Sequence, residues 1–231
     1  MQRPLKYDRL PEREDGFAMS SVDVAGDAAA TAGGNVAGVV LAPEDGARAD
    51  LYDLLAALLR SPPSADMLAA LAALSGDGSP LGQAVEALAH IASRTSVDAA
   101  RNEYHDLFIG IGRGELVPYG SYYLTGFLHE KPLGELRREM RARGMARSSK
   151  VREPEDHIAA LAEMMAGMIR GTLGTDASLG AQRAFFDKHV GSWAPHFFRD
   201  LEAAPSAVLY APIGTLGRVM MDVEASAFAM E

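Results

Sequence analysis

The sequence predicts an all-α protein, a single bundle-like fold of about ten helices, on three observations. Apolar residues recur at helical spacing, as in the stripe Leu51, Leu54, Leu55, Leu58 and Leu59. Serine and proline punctuate the chain where helices should begin, at Ser64, Pro80, Ser96 and Pro212. No set of short alternating segments reads as a sheet, and no internal repeat is present. With 231 residues, 48% of them hydrophobic, the chain can bury one sizeable core or two small ones.

Residues 1–46 are rich in Ala, Gly and Asp and nearly devoid of large apolar side chains after Phe17, a composition that predicts a mobile tail. An N-terminal helical half, 47–150, follows. Its first helix starts near Ala47 and stops at Ser61-Pro62-Pro63. Ser64 caps a second helix through Leu74. After the turn Gly76-Asp77-Gly78-Ser79, Pro80 starts a third carrying Leu81, Val85, Leu88 and Ile91. Ser96 caps a fourth with Val97, Ala100, Tyr104, Leu107 and Phe108 on its inner face. Short joints imply antiparallel packing.

The glycines at 110, 112 and 114 then break the pattern, because alternate glycines suit neither helix nor strand. Ser121 is placed to cap a short helix through Leu128, ended by Lys131-Pro132. Leu133 to Arg143 form the next helix, stopped by Gly144. Residues 145–152 read as a basic connection. In the C-terminal half, 151–231, Pro154 is predicted to open a helix through Ile169, with Glu155 and Asp156 at its positive end. Further helices are predicted over 178–190, after Gly191 and from Pro212.

Composition excludes several chemistries. The chain has no cysteine, which rules out disulfides, thiolate metal sites and cysteine nucleophiles and suits a reducing cytoplasm. No run approaches the roughly 20 apolar residues of a membrane span, and the N-terminus lacks the order of a signal peptide, so a cytoplasmic protein is expected. A net charge of −9 argues against nucleic-acid binding. The charge is uneven: residues 131–152 carry eight basic and two acidic groups and run directly into Glu153-Pro154-Glu155-Asp156-His157. Carboxylates beside a cleft would suit a cationic peptide.

Each candidate motif has a plainer reading. The glycine loop with Arg113 matches neither phosphate-binding pattern, so a tight interhelical turn is the stronger assignment. Glu153, Asp156, His157 and Glu163 lack di-iron spacing and a second copy. Asp156 and His157 are sequence neighbours, which is poor geometry for a triad with Ser121, and no Gly-x-Ser-x-Gly elbow exists. The arginines from 137 to 152 form a solvated face unless they converge.

Two blocks nonetheless resemble a known family. They are Tyr104-x-x-Leu107-Phe108-x-Gly110-x-Gly112, leading to Pro118-x-x-Ser121-x-Tyr123-Leu124, and Glu153-Pro154-x-Asp156-His157-Ile158. A softer match is Phe186-x-x-His189-Val190-x-x-Trp193 with Phe197-Phe198-x-Asp200-Leu201. These are similar to the TorD/DmsD-type cytoplasmic chaperones that mature exported molybdenum redox enzymes. The extended form Leu116-x-Pro118-Tyr119-x-Ser121-x-Tyr123-Leu124 looks like the branch associated with formate dehydrogenases.

The resemblance implies a helical, non-enzymatic protein. It would bind the twin-arginine signal peptide of a cofactor-free molybdoenzyme precursor and hold no cofactor of its own beyond a weak nucleotide or molybdenum-cofactor contact. Its oligomeric state stays open between a monomer and a domain-swapped dimer. Residue chemistry agrees: Glu153 and Asp156 would meet arginines, and Tyr104, Leu107, Phe108, Tyr119 and Tyr123 an apolar run. His157 would orient a carboxylate, while Gly110 and Gly112 would admit a peptide backbone. The alternative is a metal- or nucleotide-dependent hydrolase using Asp156 and His157, with Arg113 at a phosphate.

Overall fold

A computed structural model describes residues 20–21, 41–148, 151–174 and 176–230. The expected tail lies outside these residues, except for Ser20–Ser21 (β1) and the stretch from Leu41. Ten helices are present among the described residues: α1 Pro43–Arg60, α2 Ala65–Ala72, α3 Pro80–Ala92, α4 Val97–Phe108, α5 Gly120–Thr125, α6 Lys131–Ala142, α7 Ile158–Ile169, α8 Leu179–His189, α9 Ala194–Ala203 and α10 Tyr210–Ala229. The fold is all-α. Among the described residues, extended pairing is confined to β1 against Met145–Ala146 (β2), antiparallel, and one isolated bridge.

Local chemistry accounts for most helix starts. Ser64, Ser79, Ser96 and Ser178 each cap a helix by accepting the N–H three residues on. Several boundaries differ from the expectation, among them the start of the last helix at Tyr210, ahead of Pro212. α1 begins at Pro43, where proline occupies the first turn without losing a hydrogen bond. Lys131-Pro132 opens α6 instead of ending α5, which stops at Gly126 (φ 83°), a left-handed position. The helix assigned to Pro154 begins only at Ile158, because residues 156–158 bond to another segment and His157 at their centre stays extended.

The core centres on α7, where ten of twelve residues are buried. A helix apolar on all sides belongs in the middle of a bundle. It lies along α1 and touches α8, while α10 packs on α9 and α3, so both parts of the chain share one core. Trp193, Phe185, Phe186, Phe197 and Phe198 fill its C-terminal side. At Gly217 a Cβ would overlap the Phe198 ring, so the α9–α10 contact requires glycine there. Gly217→Ala is expected to cost about 1–3 kcal/mol by overpacking, measurable as a lower urea midpoint with an unchanged slope.

Two buried acids tie distant elements together. Glu103 accepts from the backbone N–H groups of Val208 (2.7 Å), Leu209 (3.0 Å) and Tyr210 (2.7 Å), satisfying the start of α10. Glu224 meets Arg48 through Nε (2.7 Å) and Nη2 (2.9 Å) and also receives the Tyr52 hydroxyl at 3.2 Å.

Candidate functional site

The two sequence blocks meet as a short backbone clip. Gly120 N–H donates to the Asp156 carbonyl and Ile158 N–H to the Pro118 carbonyl, each at 2.9 Å, and Tyr119 faces His157 across an antiparallel bridge. Pro118 has no N–H and contributes only its acceptor. Residues 35 or more apart thereby become one unit.

The side chains of the clip divide the work. Asp156 is 3% exposed, and its Oδ2 accepts the Ser121 N–H at 2.8 Å, taking the place of the missing side-chain cap of α5. The cap expected from Ser121 is therefore supplied by Asp156, with Ser121 inside the helix. Asp156 Oδ1 and Ser121 Oγ are both enclosed and have no hydrogen-bond partner. His157 Nδ1 accepts the Ala159 N–H at 3.1 Å and caps α7, which places the proton of the neutral ring on Nε2.

Burial first, and then the positive charge of Arg60, push the His157 imidazolium pKa down to about 3. Because the folded value lies below that of the unfolded chain, stability from neutral His157 is present above the ordinary histidine range and is lost as pH falls towards 3. Its ring resonances are expected to stay flat between about pH 8 and 5 in an NMR titration, where an exposed histidine titrates.

Glu153 is exposed and accepts the Tyr119 hydroxyl at 2.5 Å. Burial, then this hydrogen bond, raise the Tyr119 pKa and keep the phenol protonated. Glu155 is buried and gathers Arg137 (Nη2 2.7 Å) and Arg147 (Nε 3.3 Å), and Arg147 also donates to the Glu153 carbonyl at 2.9 Å. Arg143 pairs with Glu139 at 2.9 Å. Part of the basic run is thus internal clamps across the α6–α7 connection, where the sequence read a solvated face.

The aromatic and apolar candidates lie deeper than expected. Leu107 is fully buried, and Tyr104 stacks between Phe108 (5.0 Å) and Tyr210 (5.9 Å) while its hydroxyl donates to the Arg60 carbonyl at 2.8 Å. Phe108 is half-buried against Tyr210. Tyr123 sits between Trp193 and Phe197, with its hydroxyl on Asp200 Oδ2 at 2.9 Å. Gly110 (φ 59°) and Gly112 (φ 91°) need left-handed backbone, and Arg113 closes their loop by donating to the Tyr122 hydroxyl at 2.6 Å. The structure therefore brings together Pro118, Tyr119, Ser121, Glu153, Pro154, Asp156 and His157, and puts Tyr104, Leu107, Phe108 and Tyr123 among packed aromatics.

Sequence reasoning missed a cavity of about 80 Å³ between α5, α6, α7 and the α8–α9 turn, lined by Asp156, Gly120, Leu136, Leu161 and Trp193 among others. A Cβ on Gly120 would stand 3.0 Å from Trp193 Nε1, so glycine permits this wall. Beside it, Leu124, Phe127 and Leu128 are 44%, 69% and 44% exposed. The only local signal was Gly126, which frees Phe127 and Leu128 from the predicted helix. Among the described residues, no group of three side chains could hold a metal, and no helix is long and apolar enough to cross a membrane.

The sequence profile of the nitrate reductase delta subunit family matches residues 75–199, over half of the chain and including both blocks of the clip. The chain is 30% identical over 121 residues to the chaperone protein TorD of Vibrio cholerae, covering 49% of this chain and 55% of that protein. It is 25% identical over 154 residues to TorD of Vibrio atlanticus, covering 61% and 72%. The chain spans about half the length of the first curated relatives it matches. A crystal structure of a candidate redox enzyme maturation protein from Archaeoglobus fulgidus superposes with a TM-score of 0.50 at 22% identity, over 76% of this chain and 93% of that one, and shares the fold. On the profile match and the motif clip, the chain belongs to the nitrate reductase delta subunit family, which takes in the TorD-type redox-enzyme maturation chaperones.

Proposed function

We propose that this protein is a cytoplasmic maturation chaperone that binds the cofactor-free precursor of a molybdenum oxidoreductase together with its twin-arginine signal peptide. The observation that carries the reading is the clip itself. It draws the two sequence-distant blocks into one hydrogen-bonded unit with the exposed carboxylate of Glu153 at its surface and the buried carboxylate of Asp156 three residues on. A binding protein requires a preformed, oriented recognition surface. The Leu116-to-Leu124 sequence favours a formate dehydrogenase as the client.

The hydrolase alternative finds little support, since Asp156 and His157 are both engaged in capping helices and Arg113 lies on Tyr122. The test is retention of a molybdoenzyme precursor by tagged protein, with the signal-peptide affinity measured separately. Glu153→Gln is expected to weaken binding of an arginine-bearing signal peptide by about threefold to fivefold, the size of an exposed ion pair. Unchanged affinity would remove Glu153 from the recognition surface, and the absence of any molybdoenzyme precursor among retained proteins would reject the reading.

A further inference from the structure

The one small sheet among the described residues has a direction. β1 pairs antiparallel with β2, Ser20 opposite Ala146 and Ser21 opposite Met145. Residue numbers fall along β1 as they rise along β2. The chain therefore enters β1 from the side on which β2 runs on to Arg147, and leaves it towards Gly144 and α6.

The entry side is the side of the clip. Arg147 directly follows β2, donates to the Glu153 carbonyl at 2.9 Å and meets Glu155 at 3.3 Å, so one arginine side chain spans the distance from β2 to Glu153. Glu153 is exposed, with the Tyr119 hydroxyl on its Oε2 and the exposed base Arg152 beside it in sequence. Whatever precedes Ser20 is delivered next to an accessible carboxylate.

The chemistry of the delivered segment suits that place. Residues 1–11 interleave Arg3, Lys6 and Arg9 with Leu5, Tyr7 and Leu10, and Asp8 is their one acid. The further acids Glu12, Glu14 and Asp15 fall in the spacer towards β1. Arg9 stands eleven residues before Ser20, and a flexible chain of that length has an r.m.s. span of roughly 18 Å. A short tether holds a ligand at an effective concentration on the order of millimolar. Contacts too weak to persist between separate molecules are then populated within one.

We propose that residues 1–11, delivered by the β1–β2 pair, occupy the Glu153 face of the clip in cis and compete there with an arriving polypeptide. The proposal rests on the chaperone reading and adds a regulation of the same surface. A lone pair of two-residue strands is marginal in stability, so the arm yields to a ligand that binds more tightly. Competition in cis lowers every apparent affinity by the same factor, which sets a threshold that weak cationic ligands fail to cross.

The experiment uses the full chain and a fluorescein-labelled peptide of two arginines followed by a leucine- and alanine-rich run. The triple variant Arg3→Gln/Lys6→Gln/Arg9→Gln is expected to bind it about threefold to fivefold more tightly than wild type. Ser20→Pro/Ser21→Pro removes the strand donors without changing the charge, and is expected to give about a twofold gain. In a Glu153→Gln background the triple variant should give no gain, because the arm and the peptide no longer share that carboxylate.

A gain that persists in Glu153→Gln would come from overall charge or from another surface and overturns the proposal. So does wild-type binding that neither the triple variant nor the proline variant improves, and in that case the chaperone reading stands. A gain in the triple variant without one in the proline variant overturns delivery by β1. Absence of binding by wild type and by every variant overturns both the arm and the peptide-binding reading beneath it.

Discussion

Replacing Arg48 with leucine is expected to remove about 3–5 kcal/mol of folding stability, because it strands a buried carboxylate. Arg48 reaches Glu224 by two nitrogens at 2.7 and 2.9 Å, and the Glu224 side chain is only 2% exposed. The fork geometry satisfies both carboxylate oxygens at once, and the same pairing, led by the Glu224 hydrogen bond, raises the Arg48 pKa further. Glu224 lies on α10 and Arg48 on α1, 176 residues apart, so the pair fixes the last helix to the first. Urea unfolding of R48L and of the double variant R48L/E224L checks the assignment. The double variant should recover most of the loss, since a well-packed apolar pair can replace a buried ion pair at little cost. A single variant within about 1 kcal/mol of wild type would mean that water reaches Glu224.

The second large effect is expected at Glu103. Its two oxygens take three backbone N–H groups at the start of α10, a helix end that has no side-chain cap from its own flanking residue. A carboxylate at a helix N-terminus also meets the positive end of the helix dipole. Glu103→Ala leaves two buried donors and one part-buried donor without an acceptor and is expected to cost about 3 kcal/mol, whereas Glu103→Gln, which retains one acceptor oxygen, should cost about half of that. Hydrogen exchange gives the location: the amides of Val208, Leu209 and Tyr210 should lose protection in E103A, while those of α7 keep theirs. Uniform loss across the chain would indicate a global effect instead of an uncapped helix.

Glu103 and Glu224 also mark where the sequence stops being readable. Helix existence follows from local chemistry: Ser64 and Ser96 cap their helices as expected, and Ser79 and Ser178, directly before their own stripes, do the same. The burial of α7 follows from its all-apolar face. The partners of buried charges do not follow, because pairs separated by 105 to 176 residues leave no trace in a local window. The site divides along the same line. Glu-Pro-x-Asp-His could be recognised as a block, and Tyr119 and Ser121 as its counterpart, yet Asp156 serving α5 depends on a contact across 35 residues.

Tyr104, Leu107 and Phe108 show the limit from the other side. An inward helical stripe reads the same whether it lines a groove or fills a core, and only packing against Tyr210 decides for the core. Pro154 was misplaced for a related reason. Proline and two carboxylates imitate a helix start, but pairing of 156–158 with 118–120 delays the helix to Ile158.

The structural engagement of Asp156 bears on how such a protein can diverge. Its Oδ2 holds α5 through the Ser121 N–H, so almost any substitution there also loosens a helix. Change is then opposed at this position, because the variant must first survive a loss of stability. Leu124, Phe127, Leu128 and Glu135 carry no such burden, being exposed or only partly covered. Related chains are expected to vary at these four places while the aspartate stays constant, because only the aspartate holds a helix in place.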